Sequence, residues 1–300
     1  MPENMVEVHQ LSRQFGTTRA LDGLSLEVQP GLVYGLVGAN GQGKTTLIKH
    51  LLGLLRAKQG SVRVFGMDPV KHPVNVLQRV GYLSEERDLP EWMRIDELLR
   101  YTAAYHPKWD QSYADELLET FGLDKARKIK ELSKGMRAQA GLIAAAAHRP
   151  ELLLLDEPST GLDAVVRKDI LNVIIRTVAD EGRAAIFSSH LLDEVEQMSD
   201  YVFMIDQGKL VLRGNLDKIK EQHHLLSVRF ATSQETLPPI DDVLSAEQHG
   251  KTWSIVCNGA TQKVRESLGE IGGEVTQTRN ASLQEIFVAR VGRNSLSLEE

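Results

Sequence analysis

Apolar and polar residues alternate along the first part of the chain. Val6-Glu7-Val8 and Leu24 to Val28 switch sides residue by residue, as half-buried strands do, and Gly16 and Asp22-Gly23 supply the turns between them. Val33 to Val37 is apolar throughout, the pattern of a strand covered on both faces. The glycine-rich stretch Gly38 to Gly43 follows, then a helical run from about Thr45 to Leu55 and a further alternating segment, Gly60 to Phe65. From about Ser84 to Pro150 the spacing turns helical: Ile95, Leu98 and Leu99 share one face, as do Leu117, Leu118 and Phe121. Strand-like segments return at Leu152 to Leu155, Ala184 to Phe187 and Tyr201 to Ile205, with a helix from about Ala164 to Ala179 among them.

This order predicts an α/β core with an antiparallel β subdomain at its N-terminal side and an inserted helical subdomain over about 84–150. Past Leu216 the composition shifts. The polar stretch DKIKEQHH precedes strand-like Leu225 to Phe230, a loop with Pro238-Pro239, and further strands at Trp253 to Cys257 and Glu274 to Thr278. Helices fall near Gln262 to Ile271 and Leu283 to Val291. The chain therefore divides into 1–217, one large domain, and 218–300, a small α+β accessory domain.

Composition narrows the function classes. Lys+Arg 35 against Asp+Glu 41 gives a net charge of −6, which argues against general nucleic-acid binding. The single cysteine, Cys257, cannot form an internal disulfide and suits a reducing cytoplasm. No segment approaches the roughly 20 apolar residues needed to cross a bilayer. The start, MPENMVEVHQ, lacks the basic and apolar runs of a signal peptide. A soluble chain is expected, and any work at a membrane requires another polypeptide to hold it there.

Gly38-Ala39-Asn40-Gly41-Gln42-Gly43-Lys44-Thr45 fits the phosphate-loop pattern G-x-x-x-x-G-K-[ST] completely. Glycines let successive N–H groups turn inward around an anion, and the helix that follows points its positive end at the phosphates. Lys44 would reach the β- and γ-phosphates, and the Thr45 hydroxyl would ligate Mg²⁺. Leu152-Leu153-Leu154-Leu155-Asp156-Glu157 taken alone could be a buried strand ending in a solvated acidic turn. Beside a complete phosphate loop it reads as the second half of the site. Asp156 would hold Mg²⁺ through water, and Glu157 would position or deprotonate the attacking water.

Together GANGQGKTT, LSKGM, LLLLDEPSTGLD and SSHLLDEVEQMSD, in this order and spacing, resemble the nucleotide-binding subunit of an ABC transporter. The resemblance covers residues 1 to about 215. The C-terminal LQEIFVARV is more weakly similar to the tails of ABC-2-type exporter ATPases. The resemblance implies a P-loop NTPase core that binds ATP and Mg²⁺, with Gly38, Asn40, Gly41, Gly43, Lys44, Thr45 and Thr46 around the phosphates. It implies that Phe15 stacks on adenine and that His190 contacts the γ-phosphate as the switch histidine, giving a catalytic set of Glu157, His190 and Lys44. Ser133 and Gly135 would serve the nucleotide of a second subunit. Asp163 would lie in the loop that crosses the dimer interface. Ordinary readings stand beside these: Phe15 as core, His190 as a surface histidine, and Ser133 and Asp163 as helix N-caps.

The chain departs from the family pattern at two places. The signature carries Lys134 and Met136 where Gly and Gln are usual, but it keeps Ser133 and Gly135. Glu85, in Gly81-Tyr82-Leu83-Ser84-Glu85, stands where the family usually has a glutamine that touches Mg²⁺. A carboxylate binds the metal more strongly and repels a metal-free triphosphate. The family's role would be an ATP-hydrolysing subunit, a homodimer or heterodimer of ATPases at the cytoplasmic face of the membrane, powering export through integral membrane permease subunits. Leu89 to Ile95 would line the groove for a short helix of that partner. A soluble ABC ATPase with a regulatory or nucleic-acid-related role is the alternative. Against it stand the single cassette, the absence of a long coiled coil between Lys44 and Asp156, and the acidic charge.

Overall fold

Cross-strand pairing of the alternating segments builds the first layer of the structure, a computed structural model that describes residues 4–179, 182–231, 236–259 and 261–292. Strands β1 (Val6–Phe15) and β2 (Thr18–Val28) form an antiparallel hairpin, with Val6 opposite Val28 and Val8 opposite Leu26. Next come strand β3 (Val33–Val37) and helix α1 (Lys44–Leu51), and then β4 (Gln59–Val64), which pairs with the other edge of β1. The order is β2-β1-β4. The inward residues Val6, Val8, Leu24, Leu26, Val62 and Val64 share a core with Leu47, Ile48 and Leu51 of α1. Helix α1 ends at Leu51, short of the predicted Leu55, because Gly53 takes φ +73° and a Cβ there would lie 2.5 Å from the Pro69 carbonyl oxygen.

The second layer is mostly parallel. Helix α2 (Pro73–Leu77) precedes β5 (Val80–Leu83), a strand too short to show an alternation of its own. The predicted helical stretch is α3 (Ile95–Ala103), α4 (Gln111–Thr120) and α5 (Lys134–Ala146). After it come β6 (Leu152–Leu155), α6 (Ala164–Ala179), β7 (Ala184–Ser189), α7 (Leu192–Met198), β8 (Tyr201–Asp206) and β9 (Lys209–Asn215). The sheet order is β5-β6-β7-β3-β8-β9, with β5/β6, β6/β7, β7/β3 and β3/β8 parallel. Every residue of β6 is fully buried, as a four-leucine run requires of a strand covered on both faces. Since β3, β6 and β7 run the same way side by side, the loops that leave them open along one edge, where such sheets place ligands.

The C-terminal residues build a second core. Helix α8 (Leu216–Gln222) leads into β10 (His223–Phe230), β11 (Val243–His249) and β12 (Thr252–Asn258), then α9 (Thr261–Glu270), β13 (Gly273–Asn280) and α10 (Leu283–Val291). The four strands lie in the order β11-β12-β10-β13. Leu226, Val228, Phe230, Trp253, Ile255 and Cys257 of the sheet pack with Val264 and Leu268 of α9.

Contacts group the chain through Leu191, with Met198–Leu212, as one unit, and Leu192–Gln197, with the chain from Arg213 onward, as the other. The predicted ranges 1–217 and 218–300 differ from this in two ways: they divide the chain slightly later, and they assign Leu192–Gln197 to the first domain. Glu196 explains the second difference. Its carboxylate accepts the Leu283 N–H at 3.0 Å and pairs with Lys220 Nζ at 2.6 Å, tying α7 to α8 and α10. Residues 1–3 and 293–300, the extreme ends of the predicted ranges, lie outside the described residues.

Strand β5 meets α5 at Gly81, where an added Cβ would sit 2.1 Å from the Ala145 carbonyl oxygen and 2.9 Å from Leu153 Cδ1. Backbone cannot yield as a side-chain tip can. Gly81→Ala should therefore destabilise the protein by about 1–3 kcal/mol or more, measured by chemical denaturation. Wild-type stability in that variant would mean that α5 does not pack this closely on β5.

Candidate functional site

Three parallel strands end at one place. Strand β3 runs into the loop Gly38–Gly43 and the first turn of α1, β6 into Asp156-Glu157, and β7 into Ser188-Ser189-His190. Two glycines of the loop are required by close approach. A Cβ on Gly38 would lie 2.5 Å from the Ile205 carbonyl oxygen, and one on Gly43, at φ +104°, would lie 2.3 Å from that of Ala20. The loop encloses a cavity of about 340 Å³ lined by Asn40, Gly41, Gln42, Gly43, Lys44, Thr45 and Thr46, with Glu85 and Glu157 opposite. Helix α1 begins at its floor, so unpaired N–H groups and the positive end of the helix dipole face the cavity. Such a surface suits a phosphate chain.

Charge is concentrated on Lys44 and Glu157, only 5% and 3% exposed. Lys44 Nζ stands 3.0 Å from Glu157 Oε1 and also donates to the carbonyl oxygens of Gly38, at 2.5 Å, and Ala39, at 3.3 Å. The other carboxylate oxygen, Oε2, is 2.8 Å from His190 Nδ1 and accepts the Thr160 hydroxyl at 2.9 Å. Burial pushes the Glu157 carboxyl up, but the Lys44 ammonium and the His190 imidazole outweigh it and hold the group below its ordinary value. Glu157 is thus an ionised base at neutral pH. Its backbone is strained as well, at φ +46°, and its N–H donates to Ser188 Oγ at 2.8 Å. The Ser188 hydroxyl in turn donates to Asp156 Oδ1 at 2.7 Å, fixing that carboxylate at the end of β6.

The remaining predicted residues lie apart from this cavity. Phe15 sits at the tip of the β1–β2 hairpin, 45% exposed, with the Arg13 guanidinium 4.6 Å from its ring centroid. It is therefore a half-exposed hairpin-tip residue rather than core. Ser133 is the exposed N-cap of α5 and accepts the Met136 N–H at 3.2 Å, while Gly135 lies against Val166. Asp163 caps α6, its Oδ1 accepting the N–H groups of Val165 and Val166, each at 3.0 Å. Both capping readings hold, and neither residue lines the cavity of its own chain.

Four residues of the site carry no role in the sequence reading. Ser188 and Thr160 hold the two carboxylates, and Gln42 lines the cavity while its side chain accepts the Gln207 N–H. Ser188 stands two residues before His190 and Thr160 three after Glu157, so their neighbours could have flagged them. The fourth, Arg87, is buried beneath the loop that follows Glu157, and no pattern in the sequence marks it.

The ABC transporter family model matches residues 21–160. The chain is 28% identical to the ABC transporter ATP-binding protein YtrB of Bacillus subtilis, over 96% of this chain and 98% of that one. It is 34% identical to the daunorubicin/doxorubicin resistance ATP-binding protein DrrA of Streptomyces peucetius, over 82% of this chain and 76% of the relative. A solved ATP-binding subunit of an ABC transporter superposes with a TM-score of 0.68 at 26% identity, covering 72% of this chain and 92% of that structure. Similarity of this extent places the chain in the ABC transporter family, as an ATP-binding subunit that hydrolyses ATP to power transport.

Proposed function

We propose that two such cassettes, either two copies of this chain or one copy with a second ATPase, close over two ATP molecules at the cytoplasmic face of the membrane. Their cycle drives outward transport through separate permease subunits. The observation that carries this reading is the ionised Glu157 held between Lys44, Thr160 and His190 at the rim of the phosphate-loop cavity. In it the loop N–H groups and Lys44 bind the phosphates, and Phe15 stacks on the base. Glu157 orients the attacking water and takes its proton, and His190, held at Nδ1 by Glu157, presents its other ring nitrogen to the γ-phosphate. Exposed Ser133 with Gly135, remote from their own cavity, would close on the partner's nucleotide, and Asp163 would carry the signal between the two sites.

Thr45, Asp156 and Glu85 fit Mg²⁺. All three offer hard oxygen donors, Thr45 and Glu85 line the phosphate cavity, and Asp156 is fixed by Ser188. Among the described residues no group of three or more His, Cys, Asp or Glu side chains could hold a metal by itself. The ion would therefore depend on the phosphates for part of its coordination, as Mg²⁺ commonly does. When bound it neutralises charge on the transferring phosphoryl group.

The membrane partner is supported by an apolar groove of about 600 Å³ lined in part by Pro73, Val74, Leu77, Tyr101 and Tyr105. Val74, Tyr101 and Tyr105 are exposed there. Large exposed apolar side chains in one concave patch indicate a protein interface. From the predicted stretch Leu89 to Ile95, Leu89 and Pro90 line the groove, whereas Met93 and Ile95 are buried beneath the surface. Among the described residues no helix is long and apolar enough to cross a membrane.

Glu157→Gln should bind ATP yet hydrolyse it at least about 100-fold more slowly, and size-exclusion chromatography with ATP should then show an accumulated dimer. Turnover at the wild-type rate would remove Glu157 from its role. Glu85 faces the phosphates with a negative charge, so metal-free ATP should bind poorly and Glu85→Gln should relieve this, read by titration in EDTA. Equal metal-free affinity in the two proteins would overturn the assignment of Glu85.

A further inference from the structure

Arg87 occupies an expensive position. Its side chain is only 4% exposed, its backbone has φ +53°, and two of its donors, Nε and Nη1, lack hydrogen-bond partners. A buried guanidinium with unmade bonds destabilises a fold, so its placement calls for an explanation. Its Nη2 donates to two main-chain carbonyls, Pro158 O at 3.1 Å and Thr160 O at 3.0 Å. Those carbonyls flank the turn that leaves Glu157, and Thr160 is the residue whose hydroxyl bonds Glu157 Oε2.

We propose that Arg87 is a positioning residue for ATP hydrolysis. By gripping the Pro158 and Thr160 carbonyls it holds the turn that aims the Thr160 hydroxyl at Glu157, and so fixes the direction of that carboxylate. The strained φ of Glu157, +46°, shows why a clamp is needed: the turn would relax toward an ordinary conformation if released. Arg87 does not line the phosphate cavity, so it would act through the turn. Its neighbours in sequence connect two surfaces, since Glu85 lines the phosphate cavity while Asp88, Leu89 and Pro90 line the apolar groove. Thr160 is the second positioning residue of the pair. The proposal rests on Glu157 being the group that orients water, which Glu157→Gln tests separately.

Steady-state ATPase kinetics of the 300-residue chain with Mg²⁺ decide it. Arg87→Ala and Thr160→Val should each lower kcat by about 10- to 100-fold, with KM for ATP changed by no more than about 3-fold. Arg87→Lys should recover part of the loss, since an ammonium can still reach one carbonyl. The double variant Arg87→Ala/Thr160→Val should be no slower than the slower single, because both act through one contact. Should Arg87→Ala fail to fold, Arg87→Lys and Thr160→Val carry the same test with little change of volume. Wild-type kcat in folded Thr160→Val, a double variant that loses the product of the two single effects, or a rise in KM at constant kcat would each overturn the proposal. If Glu157→Gln itself turns over normally, the underlying role of Glu157 fails. If Glu157→Gln is inactive while Thr160→Val and Arg87→Lys are normal, the positioning role alone fails.

Discussion

Burial of Lys44 together with Glu157 is the constraint around which the site is built. Either charge alone in so enclosed a place would cost several kcal/mol. At 3.0 Å each offsets the other, which fixes the distance between the start of α1 and the end of β6. The remaining polar capacity is then shared out: the ammonium reaches two loop carbonyls, and the carboxylate takes the Thr160 hydroxyl and the His190 ring. Because these partners come from separate strand ends, the site cannot form before the sheet does. Parallel pairing supplies the alignment, with Leu36 opposite Ser188 and Leu155 opposite Phe187.

The same ionic core sets the charge state of Glu157. A carboxylate in an apolar enclosure would be protonated at neutral pH, but one between an ammonium and an imidazole stays ionised. Close packing of backbone supports this arrangement from below, where Gly38 and Gly43 let the loop rest against the carbonyls of Ile205 and Ala20.

The apolar groove and the phosphate cavity are both formed where the helical insertion leaves and re-enters the parallel core. Strand β5 ends at Leu83, and the segment from Ser84 to Pro90 serves both surfaces before α3 begins. The C-terminal unit has a core of its own around Phe230 and Trp253. Its connection in sequence is less simple than its composition suggests, because α7 supplies Glu196 to it from within the first domain's range.

Much of this was legible in the chain. Local rules act on neighbouring residues, so the alternation of Val6 to Val8, the four leucines before Asp156 and the spacing Gly38 to Thr45 each declare their element and chemistry. Short elements were harder. The strand Val80–Leu83 carries too few residues for a period, and helix α1 stops at Leu51, ahead of Gly53, whose close approach to Pro69 no local pattern announces. The sequence by itself determined the cassette, its phosphate loop and the identity of its acids, because those depend on residue type and order. Only the tertiary structure decided that Lys44, Glu157, Thr160 and His190 share one cluster, that Ser188 ties the two acids together, and that Arg87 donates to carbonyls of the turn beside them. Those contacts join residues distant in sequence, and the packing of parallel strands brings them within hydrogen-bond reach.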